Sequence, residues 1–443
     1  MKRETAALVL LAGSMIAAFQ SGCRPAELRT EIAKWQDGKS AAVSLTYDDN
    51  SAHQFRVAVP LMKRLGLPAT FHIITGEIEG SRYHGAFIGR PIQDVVRETA
   101  RIATGPNNFF ERASAIGRLG LERGFDYHLR AGELFEDGKT DEAHKLIDEA
   151  FAKVRAGRLE RERDSPARPG SYRLSWDDLK ALAADGFEFS SHTITHPRLA
   201  VLDDANLDYE LEKSRVDILD HLGLGHAFTV ECPFGTEDER VVRHALARYP
   251  ASRNRMPEPF LEELNRWSER DPAASAKEYV QWQRGVLTAT PMGEMTGWVD
   301  TVARRDNIWL VLVFHGVDGV GWEPKTGAEL EAYFGRIKSL ESRLWVATFR
   351  DVTKYMRERM SGRVTTVRKA TSIEVDLRHD LPAEIYDLPL TLKTYVPSGW
   401  RSVEVRQRDT AGVVRPARDR QGAYVLYRAW PNVGAVALTK RPR

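Results

Sequence analysis

From about residue 40, the chain alternates strand-like and helix-like segments, and this alternation constrains the fold more than any other feature. The apolar run AAVSLTY (41–47) precedes a helical pattern over 53–66, and PATFHIIT (68–75) is a second strand candidate. Parallel strands require a crossover, usually a helix, so β-α-β order predicts a parallel sheet or barrel with helices outside. The run NIWLVLVFHG (307–316) has the composition of a fully buried strand.

The alternation stops between residues 80 and 170 and then resumes. Within this stretch, segments such as TDEAHKLIDEAFAKV carry helical periodicity, so we predict a helical insertion over 80–170 within a main domain of residues 38–362. After residue 363 the chain consists of short strand-like runs separated by turn residues. This pattern predicts a small C-terminal all-β domain, a sandwich, over 363–443.

The N-terminus resembles an export signal. MKRE precedes TAALVLLAGSMIAAF, an apolar segment of 15 residues that is too short for a membrane span. The following QSGC has the form of a lipoprotein cleavage site, with simple signal cleavage as the alternative. We predict a signal peptide over 1–23 and a periplasmic or extracellular protein, with membrane attachment only through a lipidated Cys23.

Charge and cysteine content exclude several classes of protein. A formal net charge of +2 on 443 residues offers no electrostatic footprint for nucleic acid. The only cysteines are Cys23 and Cys232, which excludes a disulfide-rich scaffold. We interpret Cys232 as a small buried side chain.

Two of the chemically suggestive motifs could bind a metal ion. Asp48 and Asp49 follow the first strand; by themselves they are typical of a solvated turn. His192 and His196, in SHTITHP, are four residues apart, and on a helical turn this spacing aligns both imidazoles. Such a pair suits a metal site with an open position for water, although two surface histidines remain the alternative.

Two further motifs lie at strand ends. CPFG (232–235) follows a strand-like run, and its backbone N–H groups could point into a cavity. His315 stands at the end of the most apolar strand, where it is either functional or a hydrogen-bonded core histidine. The carboxyl ends of barrel strands carry active-site groups, so the four motifs together indicate one site.

In this order the four motifs resemble those of the polysaccharide deacetylases, the metal-dependent carbohydrate esterases of family four. LTYDDN resembles the first motif of that family, SHTITHP the second, ECPFG the third and LVFHG the last. The resemblance covers residues 40–78 and 171–360. It implies a distorted (β/α) barrel of the polysaccharide deacetylase type.

The resemblance also implies a role for each matching residue. Asp49, His192 and His196 would hold a divalent metal, zinc by preference. Asp48 would be the general base, and His315 the general acid. The backbone N–H of Phe234 would stabilise the oxyanion, and Val313 would stand where the family has a leucine lining the acetyl pocket.

Two positions depart from the family pattern. Glu231 stands where the third motif has an arginine that pairs with the catalytic aspartate, and Arg284 is our candidate replacement. Asn50 stands where the first motif has glycine. Among the tryptophans, Trp322 is a candidate for stacking on a sugar ring.

We therefore predict a metal-dependent hydrolase that removes N- or O-linked acetyl groups from a glycan. Two alternatives stay open: a glycan-binding or scaffolding protein on a decayed deacetylase barrel, and a hydrolase of a small non-sugar amide. The insertion is the expected determinant of substrate choice, because it leaves the barrel where strand ends meet substrate.

Overall fold

The computed structural model describes residues 28–159, 173–256 and 258–441. The predicted signal peptide, Cys23 and most of the charged segment that ends the insertion lie outside the described residues. No helix in the described part of the chain is long and apolar enough to cross a membrane.

Eighteen strands and eleven α-helices make up the described chain. The strands are β1 Thr30–Ile32, β2 Ala41–Asp48, β3 Thr70–Ile73, β4 Glu188–Ser191, β5 Thr229–Val230, β6 Ala251–Ser252, β7 Leu261–Leu264, β8 Tyr279–Gly285, β9 Ile308–Phe314, β10 Leu344–Val346, β11 Arg363–Arg368, β12 Ser372–Arg378, β13 Leu390–Val396, β14 Val403–Gln407, β15 Thr410–Val414, β16 Ala417–Asp419, β17 Gly422–Ala429 and β18 Val436–Lys440. The helices are α1 Val59–Leu65, α2 Ile92–Glu98, α3 Phe109–Ile116, α4 Gly124–Glu136, α5 Thr140–Arg155, α6 Trp176–Ala184, α7 Asp204–Leu222, α8 Glu239–Leu246, α9 Met292–Val302, α10 Gly327–Ser339 and α11 Phe349–Ser361.

Nine strands form one curled sheet in the order β6-β5-β4-β3-β2-β9-β8-β7, and β10 pairs with the first half of β2. Every pairing in this sheet is parallel. Because all the strands run in one direction, their carboxyl ends meet at one edge. The predicted distorted (β/α) barrel is confirmed.

Successive side chains along each strand point to opposite faces of the sheet, so one core lies between the sheet and the outer helices and another lies inside the curl. On β2, Ala41, Val43, Leu45 and Tyr47 pack outward against the helices, while Ser44, Thr46 and Asp48 face the inside of the curl. On β9 the inner face carries Trp309, Val311 and Val313, which pack against α11. The inner face is apolar at the amino ends of the strands and becomes polar towards their carboxyl ends.

Helices α2 to α5 form the insertion and have an apolar cluster of their own. The periodicity predicts three of them; α4, over GFDYHLRAGELFE, is an addition from the structure. The predicted helix start at Ser175 is present: its side chain accepts a hydrogen bond from Asp178 N, and Asp178 completes a capping box.

The C-terminal strands form two antiparallel sheets with one apolar core between them. The four-stranded sheet has the order β1-β13-β17-β16 and the five-stranded sheet β11-β12-β18-β14-β15. Their inner residues, such as Val375, Leu392 and Val425, form a single cluster, which is the arrangement of a β-sandwich. The predicted C-terminal all-β fold is therefore present, with β1 contributed from the other end of the chain.

Candidate active site

The two adjacent aspartates at the end of β2 point to different places. Asp48 is the last residue of the strand and is buried on the inner face. Asp49 adopts a left-handed backbone with φ 75°, and Asn50 follows with φ 53°. Asparagine tolerates this region better than most residues, and the Asn50 side chain accepts from Ile74 N and donates to Ile74 O. Asn50 thus maintains a turn where the family has glycine.

Asp49, His192 and His196 converge on one point. Asp49 Oδ1 lies 3.4 Å from His192 Nε2 and 3.3 Å from His196 Nε2, and the three ligand atoms lie within 4.8 Å of one another. Asp49 Oδ1 is buried with no hydrogen-bond partner among the described residues. A buried acceptor facing two imidazole nitrogens fits a cation bound by all three residues.

The orientation of His192 supports this assignment. Its Nδ1 is 2.8 Å from the carbonyl oxygen of Glu231; because a carbonyl only accepts, Nδ1 is the donor. In a neutral ring Nε2 then carries the free lone pair. A backbone carbonyl that fixes the tautomer in this way is a common feature behind metal-binding histidines.

The turn that carries the two histidines differs from the prediction. Residues 192–196 form an irregular turn instead of a helical one, so the prediction of a helical turn was wrong. Thr193 and His196 have φ values of 68° and 58°, and this sharp reversal brings the two rings to a centroid distance of 4.6 Å. Local turn geometry, rather than helical spacing, aligns the imidazoles.

Asp48 is held by an arginine that sequence reasoning missed. Arg253, directly after β6, donates from Nη1 and Nη2 to the two carboxylate oxygens at 2.9 and 2.7 Å. Burial raises the pKa of Asp48, but Arg253 and His315 outweigh it and hold that pKa well below its usual range. Arg284, the predicted replacement, instead donates to the backbone oxygens of Arg266 and Ser268, so that prediction was wrong.

Glu231, which replaces the family arginine, contacts the other side of Arg253. Its Oε1 lies 2.7 Å from Arg253 Nη2, and all three side chains are buried. Charge is therefore arranged as carboxylate, guanidinium, carboxylate. The arginine and the acidic residue occur on neighbouring strand ends, β5 and β6, and together they keep Asp48 in place and ionised.

His315 stands next to Asp48 at the end of β9. Its Nε2 lies 3.5 Å from Asp48 Oδ2, and burial lowers its pKa. Val313 lies one step below on the same inner face and is fully buried. Trp322 packs edge-to-face on His315 at 4.5 Å and is 52% exposed, so it borders the opening of the site.

Phe234 closes the opposite side of the site. It has φ 66° within the CPFG turn, and its ring contacts His196 at 4.7 Å. The guanidinium of Arg198 lies over the same ring at 4.2 Å. Strained backbone at several neighbouring positions is typical of functional sites.

Three further residues near the site make structural contacts. Glu188 is buried and accepts from Thr70 Oγ1 and Arg350 N. Cys232 is buried, and burial raises the pKa of its thiol. His72 lies near the site: its ring centroid is 6.4 Å from that of His192, and its Nδ1 is hydrogen-bonded to Ser190 Oγ.

The comparisons agree with the resemblance. Residues 135–250 match the family model for polysaccharide deacetylase, a segment that contains His192, His196, Glu231 and Phe234. A curated relative, a gellan lyase from a Bacillus species, is 24% identical over 336 residues, which is 69% of this chain and 13% of the relative. The chain thus spans about an eighth of that relative's length. The predicted resemblance to the polysaccharide deacetylases is confirmed.

Solved structures with distant similarity include two carbohydrate esterases. One is the Xyl-CE4 domain of a multidomain xylanase from the hindgut metagenome of Trinervitermes trinervoides, with 11% identity, coverage of 71% of this chain and 90% of that chain, and a TM-score of 0.31. The other is a family 4 carbohydrate esterase from Streptomyces lividans in complex with acetate, with 14% identity, coverage of 69% and 91%, and a TM-score of 0.28.

Proposed function

We propose that this chain is a zinc-dependent hydrolase that removes acetyl groups from a glycan. The observation that carries this proposal is the meeting of the Asp49, His192 and His196 cluster with an ionised Asp48 and with His315 at one sheet edge. Zinc bound by the three ligands would supply Lewis-acid polarisation of the acetyl carbonyl and of water.

The residues of the chain would move the protons. Asp48 accepts a proton from the attacking water, whose oxygen forms a bond to the acetyl carbon. As the bond from that carbon to nitrogen or oxygen breaks, His315 donates a proton to the leaving amine or alkoxide. The products are acetate and a free amino or hydroxyl group on the sugar. The Phe234 N–H would stabilise the charge that develops on the carbonyl oxygen.

The alternative of a decayed, glycan-binding barrel was prompted by Glu231. Arg253 weakens that alternative, because it gives Asp48 an arginine partner from the end of β6. A small non-sugar amide as substrate would give turnover on monomeric compounds only. Acetate release from glycans distinguishes the proposed function from both alternatives, and turnover of monomeric amides distinguishes the two alternatives from each other.

The test is acetate release from chitooligosaccharides, peptidoglycan and acetylated xylan, with and without chelator. We expect release from at least one glycan, its loss on chelation and its recovery with zinc. Release from none of them by zinc-loaded protein would contradict the proposal. Turnover of monomeric amides would then indicate a small-amide hydrolase, and no turnover of either kind would favour a binding protein.

Asp48→Asn tests the assignment of the base. We expect the variant to retain metal and to lose activity by about 10²–10⁴-fold, the usual contribution of general acid–base catalysis. Asp185→Asn is the matched control, because Asp185 pairs with Lys63 on the surface. Full activity of Asp48→Asn would refute the assignment.

We also propose export, on the sequence pattern of residues 1–23. The mass of the mature N-terminus distinguishes a lipidated Cys23 from simple cleavage. An intact Met1 in the mature protein from the native cell would contradict both.

A further inference from the structure

Arg198, two residues after the metal ligand His196, is held by helix α4 of the insertion. Its guanidinium pairs with Glu136, and the two side chains are only 15% and 13% exposed. Its backbone N–H donates to His128 Nε2 at 3.1 Å. None of the four motifs includes Arg198, and no step of the proposed mechanism uses it, so the insertion holds it for another reason.

One face of α4 presents three residues to this single arginine. His128, Gly132 and Glu136 are spaced by four residues, so they lie one above the other on the helix. The first accepts from the backbone N–H of Arg198, the second lies against its aliphatic carbons, and the third pairs with its guanidinium. The helix thus contacts the backbone, the stem and the charged end of the same residue.

Gly132 is necessary for this close approach. It lies in the interior of α4, where glycine is less favourable than alanine. A Cβ added at Gly132 would lie 2.6 Å from Arg198 Cδ and 2.8 Å from Arg198 Cβ. The glycine therefore gives up helix stability and leaves room for the arginine to lie flat on the helix.

The His128 ring is fixed as an acceptor. Its Nδ1 lies 2.9 Å from Ala113 O of α3; because a carbonyl only accepts, Nδ1 carries the proton and Nε2 has the lone pair. Burial lowers the pKa of His128 to about 4, so the ring is neutral at neutral pH. Two helices of the insertion thus fix the backbone of Arg198.

The ion pair that is held in this way contacts the CPFG turn. The Arg198 guanidinium lies 4.2 Å from the centroid of the Phe234 ring, within the range of a cation–π contact. Burial raises the pKa of Glu136, and Arg198 and Thr236, which follows the turn, both oppose that rise. The insertion therefore reaches the turn through both members of the ion pair.

Phe234 needs support from outside its own turn. Its φ of 66° is in the left-handed region, where a residue with a Cβ is strained. Its side chain is 39% exposed and meets His196 edge-to-face. A fixed guanidinium over the ring face restrains the conformation of the turn, and with it the direction of the Phe234 N–H.

We propose that Arg198 is a positioning residue: clamped by His128, Gly132 and Glu136, it fixes the Phe234 ring and so places the Phe234 N–H where the oxyanion forms. This inference rests on the proposed function and deepens it, because it makes the insertion a part of the catalytic apparatus.

The first experiment compares Gly132→Ala with Gly335→Ala. Both glycines lie inside helices, but a Cβ at Gly335 of α10 would meet no atom within 4 Å. Loss of an oxyanion donor costs about 10²–10³-fold in kcat, and its displacement costs part of that. We expect Gly132→Ala to lower kcat by about tenfold, with KM and zinc affinity within about twofold of the wild type. Gly335→Ala should match the wild type in all three.

Two arginine variants test the guanidinium itself. Arg198→Lys keeps a charge beside Glu136 but lacks the planar group that stacks on an aromatic ring. Arg198→Met combined with Glu136→Gln leaves no buried carboxylate unpaired. We expect kcat to fall by about tenfold for the first and by about 10²-fold for the second, at unchanged zinc affinity. Unchanged kcat in the folded variants, or a loss of zinc affinity that accounts for the lost activity, would overturn the proposal.

A third measurement does not depend on turnover. The Gly235 N–H donates to Cys232 O at 3.2 Å and closes the CPFG turn, so its hydrogen exchange reports on the opening of that turn. By NMR of protein labelled with ¹⁵N-glycine, we expect about tenfold faster exchange in the double variant and the wild-type rate in Gly335→Ala. An unchanged rate in the double variant would overturn the positioning role. Absence of acetate release by the wild type would refute the proposed function alone, because hydrogen exchange still tests the clamp.

Discussion

At the scale of single residues, the site depends on one buried guanidinium between two carboxylates. Arg253 and its partners Asp48 and Glu231 are almost completely excluded from water. Removing one partner from a buried ion pair costs about 3–5 kcal/mol, because a charge remains uncompensated. Arg253 is therefore expected to affect both stability and the protonation of Asp48.

We predict that Arg253→Lys and Arg253→Met raise the pKa of Asp48, and that the effect is larger for Met. Arg253 lowers that pKa, so without it Asp48 becomes protonated at higher pH. The acid limb of the kcat/KM profile should move to higher pH, with a fall of about 10²-fold in kcat/KM at neutral pH for Met.

The control for this prediction is Arg284→Met, which removes an arginine that does not contact Asp48. Its acid limb should coincide with that of the wild type. Circular dichroism and zinc content establish that each variant folds and loads metal. An unchanged acid limb in folded Arg253→Lys and Arg253→Met proteins would contradict the assigned role.

The residue scale also shows the limit of sequence reasoning. The motifs located Asp49, His192 and His196, because each follows a recognisable strand. Arg253 follows β6, which has two residues, and its partner Asp48 is 205 positions away. A strand that short leaves no periodicity, so only the fold reveals that another strand end reaches the site.

At the scale of elements, the insertion braces the turn that carries the metal ligands. Glu210 of α7 accepts hydrogen bonds from Ile194 N, Thr195 N and Thr195 Oγ1. Arg118, which follows α3, pairs with Glu210 and donates to Thr195 Oγ1. The insertion thus neutralises the carboxylate that holds the backbone between the two histidines.

We predict that Arg118→Met weakens zinc binding by about tenfold, the lower end of the effect of residues that orient metal ligands. Glu210 would stay buried without its cation, and the turn would lose its support. Zinc affinity is measured by competition with a chromogenic chelator.

Arg90→Met is the control within the same insertion. Arg90 pairs with Glu111 on the surface, with a side chain 37% exposed, and exposed pairs contribute about 0–1 kcal/mol. Its zinc affinity should equal that of the wild type. If Arg118→Met binds zinc as tightly as Arg90→Met, the insertion does not support the ligand turn.

Some strands and helices could be predicted from the sequence and others could not, and the difference has physical reasons. Strands with long apolar runs, such as β2 and β9, and the capped helix α6 were recognisable from the sequence. β7 and β8 carry polar residues on the inner face, as in YVQWQRG, so hydrophobicity does not mark them as strands. The histidine turn has the residue spacing of a helical turn but a different backbone. Residue spacing does not show that a residue such as Thr193 has a left-handed backbone.

At the scale of the whole molecule, the barrel and the β-sandwich are interlocked. β1 precedes the barrel in the chain but pairs with β13 of the sandwich, from Thr30 opposite Thr394 to Ile32 opposite Leu392. Tyr355, on barrel helix α11, is fully buried in the sandwich core, and its hydroxyl donates to Ala33 O. Lys354 of the same helix pairs with Asp387 at 2.9 Å.

This interlocking predicts one cooperative unfolding transition and a barrel that depends on the sandwich. A chain that ends after Ser361 would expose Tyr355 and leave β1 without a partner strand. Each kcal/mol lost lowers the midpoint by about 2–4 °C in a domain of 150–250 residues and by less in a longer chain, so the loss of several buried contacts should lower Tm by several degrees. Val413→Ser, on the exposed edge strand β15 and 49% exposed, should leave Tm within about 2 °C. Calorimetry of the full chain, the truncated chain and this control makes the comparison. Two resolved transitions in the full chain, or a truncated barrel with the wild-type midpoint, would show that the two parts fold independently.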